Sequence, residues 1–85
     1  MEKIKSIILI SGNGSNLSNI IKNVNSGYID MEISMVISNN PDAKGLIIAS
    51  ENKLPTLVLD TSKGFDNNLS EIIEKNSIGL VVLAG

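Results

Sequence analysis

The chain has 85 residues, with nine acidic against seven basic side chains and a net charge of −2. It has no cysteine and no histidine, which excludes a disulfide framework, Cys/His zinc sites and a histidine general base. All seven bases are lysine, so a clustered basic footprint for nucleic acid and bidentate guanidinium recognition of phosphate are both absent.

At 42% hydrophobic residues the composition is that of a globular chain. The hydrophobic residues are aliphatic, with one Tyr and one Phe, so no base-stacking platform exists. No run reaches the length of a membrane span. The opening M-E-K-I-K-S-I-I-L-I is too short an apolar run for a signal peptide, so a cytoplasmic location is expected, with no membrane partner. A chain this small buries only about 60–65% of its unfolded surface, and one domain at most is expected.

Ile7-Ile8-Leu9-Ile10 is a continuous aliphatic run, the pattern of a strand buried on both faces. Glycine and asparagine follow at 12–16. Leu17, Ile20, Ile21 and Val24 then mark one face of a helix, which Gly27 should end. A β-branched stretch from Ile33 to Ser38 predicts a second strand. After it, Asn40 fits a helix cap and Pro41 a first helical position. Ala43, Leu46, Ile47 and Ser50 define the expected inner face of that helix. Gly45 inside it lowers helix propensity by roughly 1 kcal/mol relative to Ala, which close packing would explain.

Leu54-Pro55 breaks the second helix, and 56–59 reads as a third strand closed by Asp60. Phe65, Leu69, Ile72 and Ile73 share one face of a third helix. Leu80-Val81-Val82-Leu83 is a fourth aliphatic strand. The order βαβαβαβ predicts an α/β fold, a Rossmann-like three-layer arrangement with helices on both faces of a parallel sheet. The last strand has no covering helix after it, so the chain is expected to be part of a larger α/β domain.

Ser11-Gly12-Asn13-Gly14-Ser15-Asn16 joins the first strand to the first helix. In such sheets, loops at the carboxyl ends of strands bind ligands. Glycines allow close backbone approach, and the helix start supplies amides and a positive dipole end. The segment therefore suits a phosphate. The alternative is a glycine turn with Ser15 or Asn16 as a simple helix cap. A dinucleotide fingerprint is disfavoured, because Leu17 replaces its third glycine and no acid sits at a clear ribose-binding position, Ser38-Asn39 ending the second strand. Asp60, Asn39 and Asn40 are read as turn or capping residues, Lys44, Glu51, Glu71 and Glu74 as solvated, and Tyr28 as a cover for the sheet bottom.

I-S-G-N-G-S-N-L at 10–17 resembles the N-terminal signature of the phosphoribosylglycinamide formyltransferases. V-I-S-N-N-P-D-A-K-G-L at 36–46, L-P-T-L-V-L-D at 54–60 and L-V-V-L-A-G at 80–85 resemble later stretches of the same family, in the same order. Relatives acting on methionyl-tRNA lack the glycine loop. The resemblance implies transfer of a formyl group from 10-formyltetrahydrofolate to glycinamide ribonucleotide in purine synthesis, without a metal. It assigns the substrate 5′-phosphate to Gly14, Ser15 and Asn16, gives Gly12 and Asn13 the shaping of the turn, and places Gly85 near the substrate. The family's catalytic Asn, His and Asp fall outside residues 1–85, as does most of the folate site. The chain is thus expected to be the N-terminal, phosphate-binding part of a formyltransferase domain, inactive by itself. The expected strand order is 3-2-1-4, with strands near 5–10, 33–38, 56–59 and 80–83.

Overall fold

The first aliphatic run forms β1 (Ile4–Ile10), and β2 (Met31–Ser38) lies parallel beside it. Ile7 and Ile8 point to opposite faces and are both 0% exposed, so both faces of this central strand are covered. The computed structural model describes residues 3–10, 14–59 and 65–84. In chain order the other elements are α1 (Ser15–Asn25), α2 (Lys44–Glu51), β3 (Thr56–Val58), α3 (Phe65–Lys75) and β4 (Leu80–Leu83).

The sheet is parallel, in the expected order β3-β2-β1-β4. Chain direction across the sheet reverses after β3, so β1 is flanked by β2 and β4. Right-handed connections then place α1 and α2 on one face and α3 on the other. The main core lies under the first two helices. Ile8 and Ile10 of β1 meet Leu17 and Ile21 of α1, Ala49 of α2, and Met31, Ile33 and Val36 of β2. β4 is the exposed edge: Leu80, Val81 and Leu83 are 44%, 36% and 79% exposed.

Two expectations change here. Asn40 does not open a helix. Its side-chain oxygen accepts from the Asp42 amide at 3.0 Å, and its carbonyl accepts from the Ala43 amide at 3.1 Å. Such an Asx turn is the favoured local bond of asparagine, and it delays α2 to Lys44. The helix is thereby rotated, so Gly45 and Ala49 are its buried residues, while Ile47 and Ser50 face outward. Small residues let the helix axis sit close to the sheet, which a reading weighted to large aliphatic side chains does not register. Tyr28 is 87% exposed and covers nothing. By contrast, Lys44, Glu51, Glu71 and Glu74 are exposed as read from the sequence.

α1 ends as expected, with Gly27 at φ +84° just past its C-cap Ser26. The other two helices end differently. Asn52 and Asn76 each donate from the side-chain amide to a carbonyl four residues back, at 2.8 and 2.9 Å. Lys53 and Ser77 then take φ values of 60° and 54°.

The β1–β2 register slips once. Ser6 pairs with Ile33 and Ile7 with Met35, leaving Ser34 as a bulged extra residue. Its hydroxyl is buried without a hydrogen-bond partner among the described residues. The neighbouring Ser6 hydroxyl, also buried, donates to the Glu32 carbonyl at 2.9 Å. Two serines on adjacent strands should therefore respond in opposite directions. Ser34→Ala is expected to raise stability by about 1 kcal/mol, and Ser6→Ala to lower it by about the same amount. Urea denaturation midpoints at constant slope measure both.

Candidate functional site

The carboxyl end of β1 lies where the strand order reverses, between β2 and β4. This is the switch point at which open α/β sheets bind ligands. Backbone bonds hold the strand ends together there. The Ala84 amide donates to the Leu9 carbonyl at 2.9 Å, and the Leu59 amide to the Ser38 carbonyl at 2.9 Å. Ala84, 8% exposed, therefore sits beside the stem of the first loop. Of the residues singled out from the sequence, Gly12, Asn13, Asp60 and Gly85 lie outside the described residues; Gly14, Ser15 and Asn16 lie within them.

Gly14 holds the N-cap position of α1, in the left-handed region at φ +87° and ψ +7°. The cap reading placed on Ser15 or Asn16 is thus displaced by one or two residues: both belong to the helix, and glycine has no side chain to cap with. The Ser18 amide donates to the Gly14 carbonyl at 2.9 Å, the first bond of the helix. The backbone amides of Asn16 and Leu17 lie ahead of that bond and point out of the helix start. The first turn has no acidic residue to oppose the positive end of the helix dipole. Leu17 is fully buried, while the side chains of Ser15 and Asn16 are exposed. The result is a buried glycine hinge followed by an exposed polar first turn, an arrangement suited to an anion.

The structure changes the reason for glycine at 14. A Cβ built there would lie 2.7 Å from Gly45 Cα and 2.8 Å from Ile48 Cδ1. It would point into α2. The glycine is required by its positive φ and by this packing, whether or not a ligand binds. Sequence reasoning assigned its small size to a tight turn and to ligand approach, not to packing against α2. Gly45, for which the sequence suggested close packing, proves to be its packing partner.

A groove lies at the opposite end of the sheet. It has a volume of ≈ 390 Å³ and is lined by Lys3, Asn25, Glu32 and Asn52 over an apolar floor that includes Ile21 and Met31. The carboxyl ends of α1 and α2 meet there, and their dipoles disfavour an anion. Open α/β sheets bind ligands at the other edge.

The two left-handed glycines provide a contrast. A Cβ at Gly27, φ +84°, meets nothing within 4 Å. Gly27→Ala should cost about 1–2 kcal/mol, from backbone strain alone. Gly14→Ala adds overpacking to the same strain and should cost about 2–5 kcal/mol. Equal losses in denaturant titrations would refute the packing assigned to Gly14.

The sequence matches the family described as Formyl transferase over residues 4–85. It is 41% identical over 91 residues to the phosphoribosylglycinamide formyltransferase of Haemophilus influenzae, an alignment covering 100% of this chain and 42% of that protein. The phosphoribosylglycinamide formyltransferase structure from Coxiella burnetii superposes with a TM-score of 0.88 at 37% identity, over 99% of this chain and 42% of that one. Glycinamide ribonucleotide transformylase 1 from Symbiobacterium toebii gives a TM-score of 0.89 at 34% identity, over 98% of this chain and 42% of its own. The chain thus spans about two fifths of the length of these relatives. With its parallel 3-2-1-4 sheet and glycine-hinged first helix, the chain belongs to the formyl transferase family.

Proposed function

We propose that these residues form the substrate-phosphate half of a phosphoribosylglycinamide formyltransferase. The reaction would transfer a formyl group from 10-formyltetrahydrofolate to the amine of glycinamide ribonucleotide, in purine synthesis. The observation that carries this reading is the start of α1. A helix amino terminus with no acidic first-turn residue opens at the switch point of the sheet, on the segment G-N-G-S-N. The identity to proteins of that name along the whole chain supports the choice of substrate.

In this reading the backbone amides at Gly14, Ser15 and Asn16 face the 5′-phosphate, and the Ser15 hydroxyl adds a donor. Gly12 and Asn13 shape the turn, and Gly85 approaches the substrate from the end of β4. Recognition by backbone suits a chain without arginine. The proposed amine attack needs proton removal and donors for the developing oxyanion. The described residues at this edge offer hydroxyl and amide groups and no carboxylate assigned to either task. The formyl donor's contacts fall mostly on the family's remaining length. The exposed aliphatic edge of β4 suits a sheet that continues there. No helix among the described residues is long and apolar enough to cross a membrane. A cytoplasmic enzyme fits this reading.

Two measurements test it. Ribose 5-phosphate titrated into the ¹⁵N-labelled chain should move the amide resonances of residues 14–17, whereas ribose should not. Ser15→Ala should weaken that binding by about 0.5–2 kcal/mol, because one hydroxyl is lost while the amides remain. Equal responses to ribose and its phosphate would remove the anion site. Separately, residues 1–85 purified free of host enzyme should show no formyl transfer to glycinamide ribonucleotide. Turnover by that chain would overturn the division of labour proposed here.

A further inference from the structure

We infer that Gly45, on α2, is a positioning residue that sets both stems of the first loop for its anion. The inference rests on the phosphate reading of that loop. It begins from two backbones in contact. A methyl group placed on Gly45 would overlap Ile10 Cδ1 and touch Gly14 Cα at 3.4 Å. A methyl group placed on Gly14 would strike Gly45 Cα at 2.7 Å and Gly45 N at 3.0 Å. Ile10 is the last residue of β1, and Gly14 is the hinge that opens α1. Gly45 therefore lies against the chain just before and just after 11–13, without belonging to that loop.

α2 is the fixed partner in this contact. The buried Ser38 hydroxyl accepts from the Asn40 amide at 3.0 Å and lies 3.1 Å from the Asn40 carbonyl. Asn40 in turn holds the amides of Asp42 and Ala43. Ala43 and Ala49, 4% and 0% exposed, pin the two ends of the helix in the core. A group added at 45 therefore displaces the Ile10 side chain more readily than it displaces the helix, with Gly14 Cα already at contact distance. Ile10 shares its core cluster with Leu17 in the first turn of α1, so a displaced Ile10 acts on the turn that carries the phosphate amides.

Helix propensity makes the opposite prediction. Alanine forms helices better than glycine, so a residue serving the helix alone would gain from the change. Gly45→Ala should instead shift the amide resonances of Gly14 and Ser15. It should also raise the Kd for ribose 5-phosphate about tenfold or more, since a misplacement of ~1 Å can cost ~10²-fold. Ile10→Val removes the Cδ1 that the new methyl would overlap. The double variant Ile10→Val/Gly45→Ala should recover both the resonances and the affinity. Gly79→Ala is the control: its methyl would meet Ile4 Cγ2 at 3.1 Å, at the far end of the sheet. It should leave both readouts as in the parent chain.

Unmoved Gly14 and Ser15 amides in Gly45→Ala would overturn the inference. So would a failure of Ile10→Val to restore them, or an equal shift in Gly79→Ala. If Gly45→Ala does not fold, the double variant decides. Folding with parental affinity supports the inference, and an unfolded double variant overturns it. If the parent binds no ribose 5-phosphate but Ile10→Val still reverses the amide shifts, the phosphate reading fails and Gly45 keeps its role in placing the loop.

Discussion

The carboxyl edge of this sheet depends on one contact, the meeting of the backbones at Gly14 and Gly45. A Cβ on Gly14 would strike Gly45 Cα, and a Cβ on Gly45 would overlap the Ile10 side chain at the end of β1 while touching Gly14. Two consequences follow from that proximity. The hinge at Gly14 is buried, so α1 begins at a set position. The amides after it share that position, because a helix start is a rigid body once its first bond forms. A contact between two glycines thus converts the packing of two helices into the placement of a helix amino terminus.

The opposite edge of the same sheet obeys a different constraint. There the helices end on Asn52 and Ser26, and a groove of ≈ 390 Å³ opens between them and the starts of β1 and β2. Room alone does not make a site for an anion. Carbonyl-rich helix ends carry the wrong sign, and the lining lysine, Lys3, is accompanied by Glu32. At the carboxyl edge the dipole, the amides and the switch point coincide.

Much of this was legible in the sequence, for physical reasons that differ by element. β1 and α1 were readable because their large aliphatic residues repeat at periods of about 1 and 3.6, and burial follows size. The strand order followed from the resemblance and from the rule for switch points rather than from periodicity. The start of α2 was misread because Asn40-Pro41 satisfies two local rules at once. Asparagine can cap a helix or close an Asx turn, each with a bond from the amide two residues on, and only the start of α2 at Lys44, behind N-cap Ala43, tells them apart. Its inner face was misread because Gly45 and Ala49 contribute proximity rather than area. Tyr28 carried no usable signal, since an aromatic ring after a turn glycine is compatible with either exposure. The loop was read from its glycines, the helix start and its place in the sheet as suited to a phosphate, and the resemblance named the substrate. Glycine at 14 is compatible with both ligand approach and helix packing, and the coordinates show the second.

That double meaning bears on how the proposed anion site would work without arginine. A guanidinium brings its own geometry to a phosphate, so modest errors in its anchoring are absorbed by side-chain rotation. Backbone amides have no such freedom. Their direction is that of the chain, and the chain's direction here is set by what lies behind Gly14. Specificity at such a site is therefore stored in small residues that never meet the ligand. Ile10 contributes a terminal methyl that fills the space glycine leaves at 45, and Ser38 ties the approach to α2 through Asn40. Substitutions that enlarge this support act on binding through the backbone, even where they leave every polar group of the site in place.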